Sequence, residues 1–146
     1  MSILNMIEKD HRTVSFLFTR LSETDNQAAK KRSELFDVLK EELEIHTHME
    51  EAVFYPALKE EAADFVQESL REHSIVEDLL RELEVQPKNS PEWMYKLAEL
   101  RINVEHHIQE EEQEIFQLAR QIINENELNK LGKAAQVDRE ELFALK

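Results

Sequence analysis

The stretch His46-Thr47-His48-Met49-Glu50-Glu51-Ala52-Val53-Phe54-Tyr55 decides how the chain folds. It closes an apolar row, Leu35, Leu39, Leu43, His46, Glu50, Phe54, whose spacing of three and four residues marks one face of a helix. A histidine and a glutamate thus hold places that a core-facing helix would give to Leu or Ile. The arrangement recurs at His107-Ile108-Gln109-Glu110-Glu111-Glu112, inside the row Leu97, Leu100, Val104, His107, Glu111, Ile115, Leu118, Ile122. Two further rows carry one histidine each: Leu4, Ile7, His11, Val14, Phe18, Leu21, and Val66, Leu70, His73, Val76, Leu80, Leu83. His11 and His73 are 62 residues apart and His46 and His107 are 61 apart, so the chain reads as two similar helical hairpins.

Composition agrees with long helices. Among 146 residues there is one glycine, Gly132, and three prolines, Pro56, Pro87 and Pro91, too few turn-formers for a sheet protein. The four rows predict an all-α, antiparallel up-down-up-down four-helix bundle over about residues 3–124. A tail, residues 125–146, holds Gly132 and a short amphipathic helical piece with Leu142, Phe143 and Leu145; a single domain spans 1–146. Polar Ser22 to Gln27 joins the first two helices, and Ser90-Pro91 supplies an N-cap and a first helical position for the fourth. Pro56 either ends or kinks the second helix. Trp93, Met94 and Tyr95 form a contact patch or cover the bundle end.

The formal charge of −14 argues against nucleic acid or an anionic membrane as partner, since Lys and Arg are scattered among more numerous acids. The chain has no cysteine, which excludes disulfides, thiolate metal sites and iron–sulfur clusters. No apolar run has the length of a membrane span, and Met1 to Ile7 lacks the features of a signal peptide, so a cytoplasmic location is expected.

A buried carboxylate without a partner is expensive. Glu50 and Glu111 each sit one helical turn from a histidine on a core face, and each needs positive charge nearby. Four histidines in four core rows, with two His-x-x-x-Glu pairs in matching halves, predict a metal site. Imidazole and carboxylate without sulfur suit iron, manganese or zinc, and two carboxylates favour a pair of metals. Ferritin-like bundles use Glu-x-x-His on two helices, a pattern found here only at Glu8 and His11, so that architecture is rejected. His48 and His106 fall off the rows and read as surface or outlying residues, and most of the run from Glu110 to Glu114 as solvated helix face.

These motifs, Asp10-His11-Arg12, His46-Thr-His-Met-Glu50-Glu51-x-x-Phe54-Tyr55-Pro56, Glu72-His73 and His107-x-x-x-Glu111-Glu112-x-x-Ile115-Phe116, resemble the hemerythrin-like, or HHE cation-binding, family over residues from about 5 to 122. The resemblance implies His11, His46, His73 and His107 as terminal ligands and Glu50 and Glu111 as bridges between two non-haem irons joined by an oxo or hydroxo group, with manganese or zinc as possible substitutes. Oxygen carriers of the family have a further histidine one turn after the third-helix histidine, and here Glu77 stands there. They also place the last carboxylate five residues after its histidine, against four here. Glu77 is therefore a candidate seventh ligand, with a solvent-facing acid as the alternative.

A diiron pair with an open position in an apolar pocket binds a small diatomic or peroxide ligand. Val14, Phe18, Val76, Leu80, Val104 and Ile108 are the expected walls. The expected function is binding or sensing of O2, NO or a reactive oxygen species. The alternative is an enzyme with peroxidase, catalase-like or NO-reducing activity, or a role in iron-centre repair. No catalytic residue is assigned: Tyr55 is the one nearby redox-capable group, and its position reads as packing. A metal-free helical interaction module is the third reading. Protein partners and oligomeric state are left open.

Overall fold

The computed structural model describes residues 1–145, and its regular elements are helical. α1 is Ile3–Ser22. α2 spans residues 29–58 as Ala29–Met49, a π-helical turn Glu50–Phe54 and a last α turn Tyr55–Leu58. α3 is Ala63–Val85. α4 spans residues 91–122 as Pro91–Glu110, a second π turn Glu111–Ile115, and Phe116–Ile122. α5, Glu125–Ala144, lies across α1 and α2.

The ends are set by local chemistry. Ser2 Oγ accepts from the Leu4 amide at 3.1 Å, and Ser90 Oγ accepts from the Trp93 amide at 3.2 Å with Pro91 at the start of α4, as its sequence predicts. Asn124 caps α5 through the Glu127 amide at 2.9 Å. Buried Arg32 ties the two connections at one end of the bundle, donating to Thr24 O at 3.0 Å and to Lys88 O at 2.7 Å. Trp93 covers that end: it is fully buried against Phe36 and its Nε1 donates to Leu83 O at 2.9 Å, whereas Tyr95 is exposed.

Two features depart from the periodicity. Pro56 neither ends nor sharply breaks α2; the π turn just before it absorbs the irregularity, and the helix runs on to Leu58. The tail is a 20-residue helix rather than a short piece, with Gly132 inside it. A Cβ on Gly132 would lie 2.0 Å from the Met1 carbonyl oxygen, so its bare Cα is what lets α5 lie against the start of α1.

Apolar side chains form two clusters. One contains Val14, Phe18, Leu39, Leu80, Leu83 and Trp93; the other contains Ile3, Ile7, Met49, Phe54, Phe116 and, from α5, Leu128 and Ala135. Buried Asp10, His11, His46, Glu50, His73, His107 and Glu111 are charged or polar residues that belong to neither. Among the described residues no helix is long and apolar enough to cross a membrane.

Candidate metal centre

Helix geometry brings the six core-row residues to one place. His46 and Glu50 are neighbours on α2, their Nε2 and Oε1 atoms 3.3 Å apart, and His107 Nε2 and Glu111 Oε2 on α4 are likewise 3.3 Å apart. His11 comes from α1, with Nε2 3.1 Å from Glu111 Oε1, and His73 from α3, with Nε2 3.1 Å from Glu50 Oε1. Two donor groups result, each with all its ligand atoms within 4.8 Å of one another: His11, His46, Glu50 and Glu111, and Glu50, His73 and His107. Glu50 belongs to both. Glu111 sets one oxygen beside His11 and the other beside His107.

Each histidine is oriented from behind by a carboxylate. His46 Nδ1 donates to Asp10 at 2.8 Å, His73 Nδ1 to Glu51 at 2.7 Å, His107 Nδ1 to Glu72 at 2.6 Å and His11 Nδ1 to Glu112 at 2.6 Å. The bonds run round the bundle, α1 to α2, α2 to α3, α3 to α4 and α4 to α1. A carboxylate at Nδ1 fixes the tautomer and turns Nε2 inward as the free donor, the usual support of a metal-binding imidazole.

Both π turns begin at the site glutamates. The Tyr55 amide donates to Glu50 O and the Phe116 amide to Glu111 O, five residues back. In an α-helix the fifth residue lies roughly 140° round from the first. A π turn brings the two onto one side, and such turns frequently mark functional sites. So Tyr55 enters the centre: its hydroxyl donates to Glu111 Oε2 at 2.7 Å, is 3.2 Å from Glu50 Oε1, and lies 3.3 and 3.4 Å from His73 Nε2 and His107 Nε2.

The electrostatics are those of buried ions locked together. Burial by itself would push His46 down, but Glu50 and Asp10 carry it up to about 10. His107 is raised well above its ordinary value, against burial, by Glu111, Glu50 and Glu72. Burial would raise Glu50, yet His46, Glu111 and His107 hold it well below the usual carboxylate range. Tyr55 keeps its proton, pushed well up by burial and by Glu111 and Glu50.

A metal fits this donor set. His11 Nε2, His46 Nε2, Glu50 Oε2 and Glu111 Oε1 are all buried without a hydrogen-bond partner, an arrangement that costs several kcal/mol per charged group unless a cation meets them. The four residues that carry them make up the first donor group.

The model of the hemerythrin HHE cation-binding domain matches residues 2–119. The chain belongs to that family. In fold it is similar to a solved hemerythrin HHE cation-binding domain-containing protein from Mycobacterium kansasii, with a TM-score of 0.86 and 26% identity over 97% of this chain and 86% of that one. A protein described as a DNA nickase, from Nostoc sp., is 29% identical over 117 residues; these cover 80% of this chain and 33% of that relative, so the chain spans about a third of its length.

Within this hemerythrin-like fold, six of the seven residues expected from sequence converge and one does not. Glu77 is exposed and borders a surface hollow with Lys40, Glu44 and Arg81, outside both donor groups. The reason is helical phase: Glu77 follows His73 by four residues, but the inward face of α3 at that level is taken by buried Val76 and Leu80. Glu112, read with its neighbours as solvated surface, instead supports His11, and Tyr55, read as packing, reaches the centre. His48, as expected, is an outlying residue, bonded to Asp138 of α5 at 3.0 Å.

Proposed function

We propose that the chain is a diiron protein whose buried pair of non-haem irons binds O2, NO or peroxide. The observation that carries this is the sharing of carboxylates between two histidine pairs. Glu50 is common to both donor groups, and Glu111 offers an oxygen to each side. One cation held by His11, His46, Glu50 and Glu111 would leave His73 and His107 unserved. Two divalent cations offset two carboxylates and displace the protons that His46, His73 and His107 hold. When bound, an iron pair supplies electron transfer and Lewis acidity toward a small oxidising ligand.

The protein's own residues limit what reaches the centre. Above the imidazoles lies a cavity of about 20 Å³ lined by the four histidines with Val14, Leu43, Thr47, Val76, Val104 and Ile108. That is space for about one water-sized molecule, which suits a diatomic or peroxide. Four of the apolar walls are those expected from the sequence, while Phe18 and Leu80 pack deeper in the core. The walls keep bulk water from the imidazoles, and the outer carboxylates keep each ring from turning.

One observation favours the second reading, an enzyme with peroxidase-like or NO-reducing turnover. The Tyr55 hydroxyl keeps its proton and lies within 3.4 Å of both His73 and His107, where it can donate a hydrogen bond to a ligand at the centre. DNA nicking, named for the Nostoc relative, does not suit this chain, because a charge of −14 opposes a phosphate backbone.

Iron quantification with an optical spectrum of the oxidised protein tests the proposal. Two irons per chain with near-ultraviolet charge-transfer bands, perturbed by azide, peroxide or NO, is the expected result. One metal or none, or a spectrum indifferent to these ligands, would sink it. Steady-state consumption of peroxide or NO by the iron-loaded protein separates enzyme from binder.

A further inference from the structure

We propose that Arg139, on the C-terminal helix beyond the family's matched region, is a positioning residue for the metal centre: it holds the Asp10 carboxylate that orients His46, and so makes the docked α5 part of the His11/His46 position. The four supporting carboxylates are not equivalent. The side chains of Glu51 and Glu112 are 40% and 36% exposed, and that of Glu72 is 14% exposed, so water reaches and solvates them. Asp10 is only 6% exposed, one methylene shorter, and cut off from that solvation. A buried carboxylate needs a cation, and the Arg139 guanidinium bonds the same Oδ2 that accepts from His46. Among the described residues, Glu51, Glu72 and Glu112 have no bond to α5 and no Arg or Lys partner.

Arg139 is itself held in place. α5 lies on α1 by way of Gly132, buried Leu128 and Ala135, and Asp138 bonds His48, two residues from His46 on α2. The chain Arg139–Asp10–His46 therefore joins the tail to one histidine of one donor group. Without the guanidinium, the Asp10 carboxylate loses the partner that holds it against His46 and turns outward, and His46 Nε2 is no longer fixed toward its ligand partners. The His73/His107 position, supported by Glu51 and Glu72, keeps its orientation.

The test uses the full chain, stripped of metal, reloaded anaerobically with ferrous ion and then challenged with a chelator. It follows the release of each iron in wild type, Arg139→Met, Arg139→Lys and the control Lys133→Met, which removes an exposed charge from the same helix. Loss of a supporting partner weakens a metal site about 10- to 100-fold. Arg139 acts one bond farther out, so one iron per chain should leave Arg139→Met about tenfold faster while the other leaves at the wild-type rate. Arg139→Lys should restore most of the retention, and Lys133→Met should match wild type. Should Arg139→Met not fold by circular dichroism, Arg139→Gln, which keeps a donor without the charge, carries the same expectation. Equal release of both irons from the variant and wild type overturns the inference, as does parallel loss of both, which would mark a general loosening. The inference rests on the diiron reading. Wild type that takes up no iron sinks both; a two-iron wild type with unaltered Arg139→Met release sinks this one alone.

Discussion

His46 lies between two carboxylates, Asp10 at Nδ1 and Glu50 near Nε2, and in the metal-free chain it carries a proton that a metal must displace. Its pKa stands at about 10 against an ordinary 6.5, since the two carboxylates outweigh burial. A base whose folded value is raised contributes stability that is complete below the unfolded value and lost as pH rises through the folded one. The metal-free protein should therefore grow less stable to urea between about pH 6.5 and 10. The iron-loaded protein, with Nε2 occupied by metal, should lack that decline. Glu50 has the opposite sign: its lowered pKa contributes stability above 4.5 that disappears as pH falls through the folded value. A flat urea profile for the metal-free protein across the alkaline range would mean that His46 is neutral there. The inner six donors were legible because a His or Glu in an apolar row is conspicuous. Their supports were not, for a geometric reason. Asp10, Glu51, Glu72 and Glu112 each adjoin a donor in sequence, which turns them about 100° from the core row toward a neighbouring helix. Only the packed bundle reveals that each neighbour presents an imidazole nitrogen.

At the scale of elements, the regular parts of the helices follow from the sequence and the irregular parts carry the site. A period of 3.6 sends Tyr55 far round the helix from Glu50, and only the π turn brings it back. The two halves then differ where their sequences do: Phe116 follows the α4 π turn as Tyr55 follows that of α2, so one hairpin brings a hydroxyl to the centre while the ring of the other packs in the apolar cluster beside Phe54. α5 was the least legible element, because its apolar residues are sparse and Gly132 suggests a break. Gly132 instead serves close approach. Replacing a mid-helix glycine by alanine ordinarily stabilises by about 0.5–1 kcal/mol. Here the added Cβ would stand 2.0 Å from the Met1 oxygen, which is backbone and cannot swing aside. Gly132→Ala should therefore destabilise the protein by about 1–3 kcal/mol, the usual range for forced overpacking. Hydrogen exchange should quicken first in α5. A stabilising Gly132→Ala would mean that α5 does not lie where the structure has it.

For the whole molecule, the ionic layer between two apolar clusters is a cost that metal binding offsets. Removing one member strands the others: Glu50→Leu leaves the His46 and His73 atoms that face it without a carboxylate, and breaking a buried pair in this way costs about 3–5 kcal/mol. Removing the six donors together leaves no inner donor unpaired, and Asp10, which loses His46, keeps Arg139. A variant with Leu or Met at His11, His46, Glu50, His73, His107 and Glu111, and with Tyr55→Phe and, at its hydrogen-bond partner, Ser69→Ala, joins the two clusters into one core. Well-packed apolar replacements of buried ion groups are neutral or stabilising by about 1–4 kcal/mol, so the metal-free variant should melt at or above the temperature of metal-free wild type. Iron should then reverse the order. A ligand present at about 1,000 times its Kd and bound only by the folded state contributes about 4.1 kcal/mol, which for a chain of this size raises Tm by about 8–16 °C. Wild type should gain that increment on loading and the apolar variant nothing. If the apolar variant is instead far less stable than metal-free wild type, the charged layer holds the bundle together without metal, and the centre would be structural first.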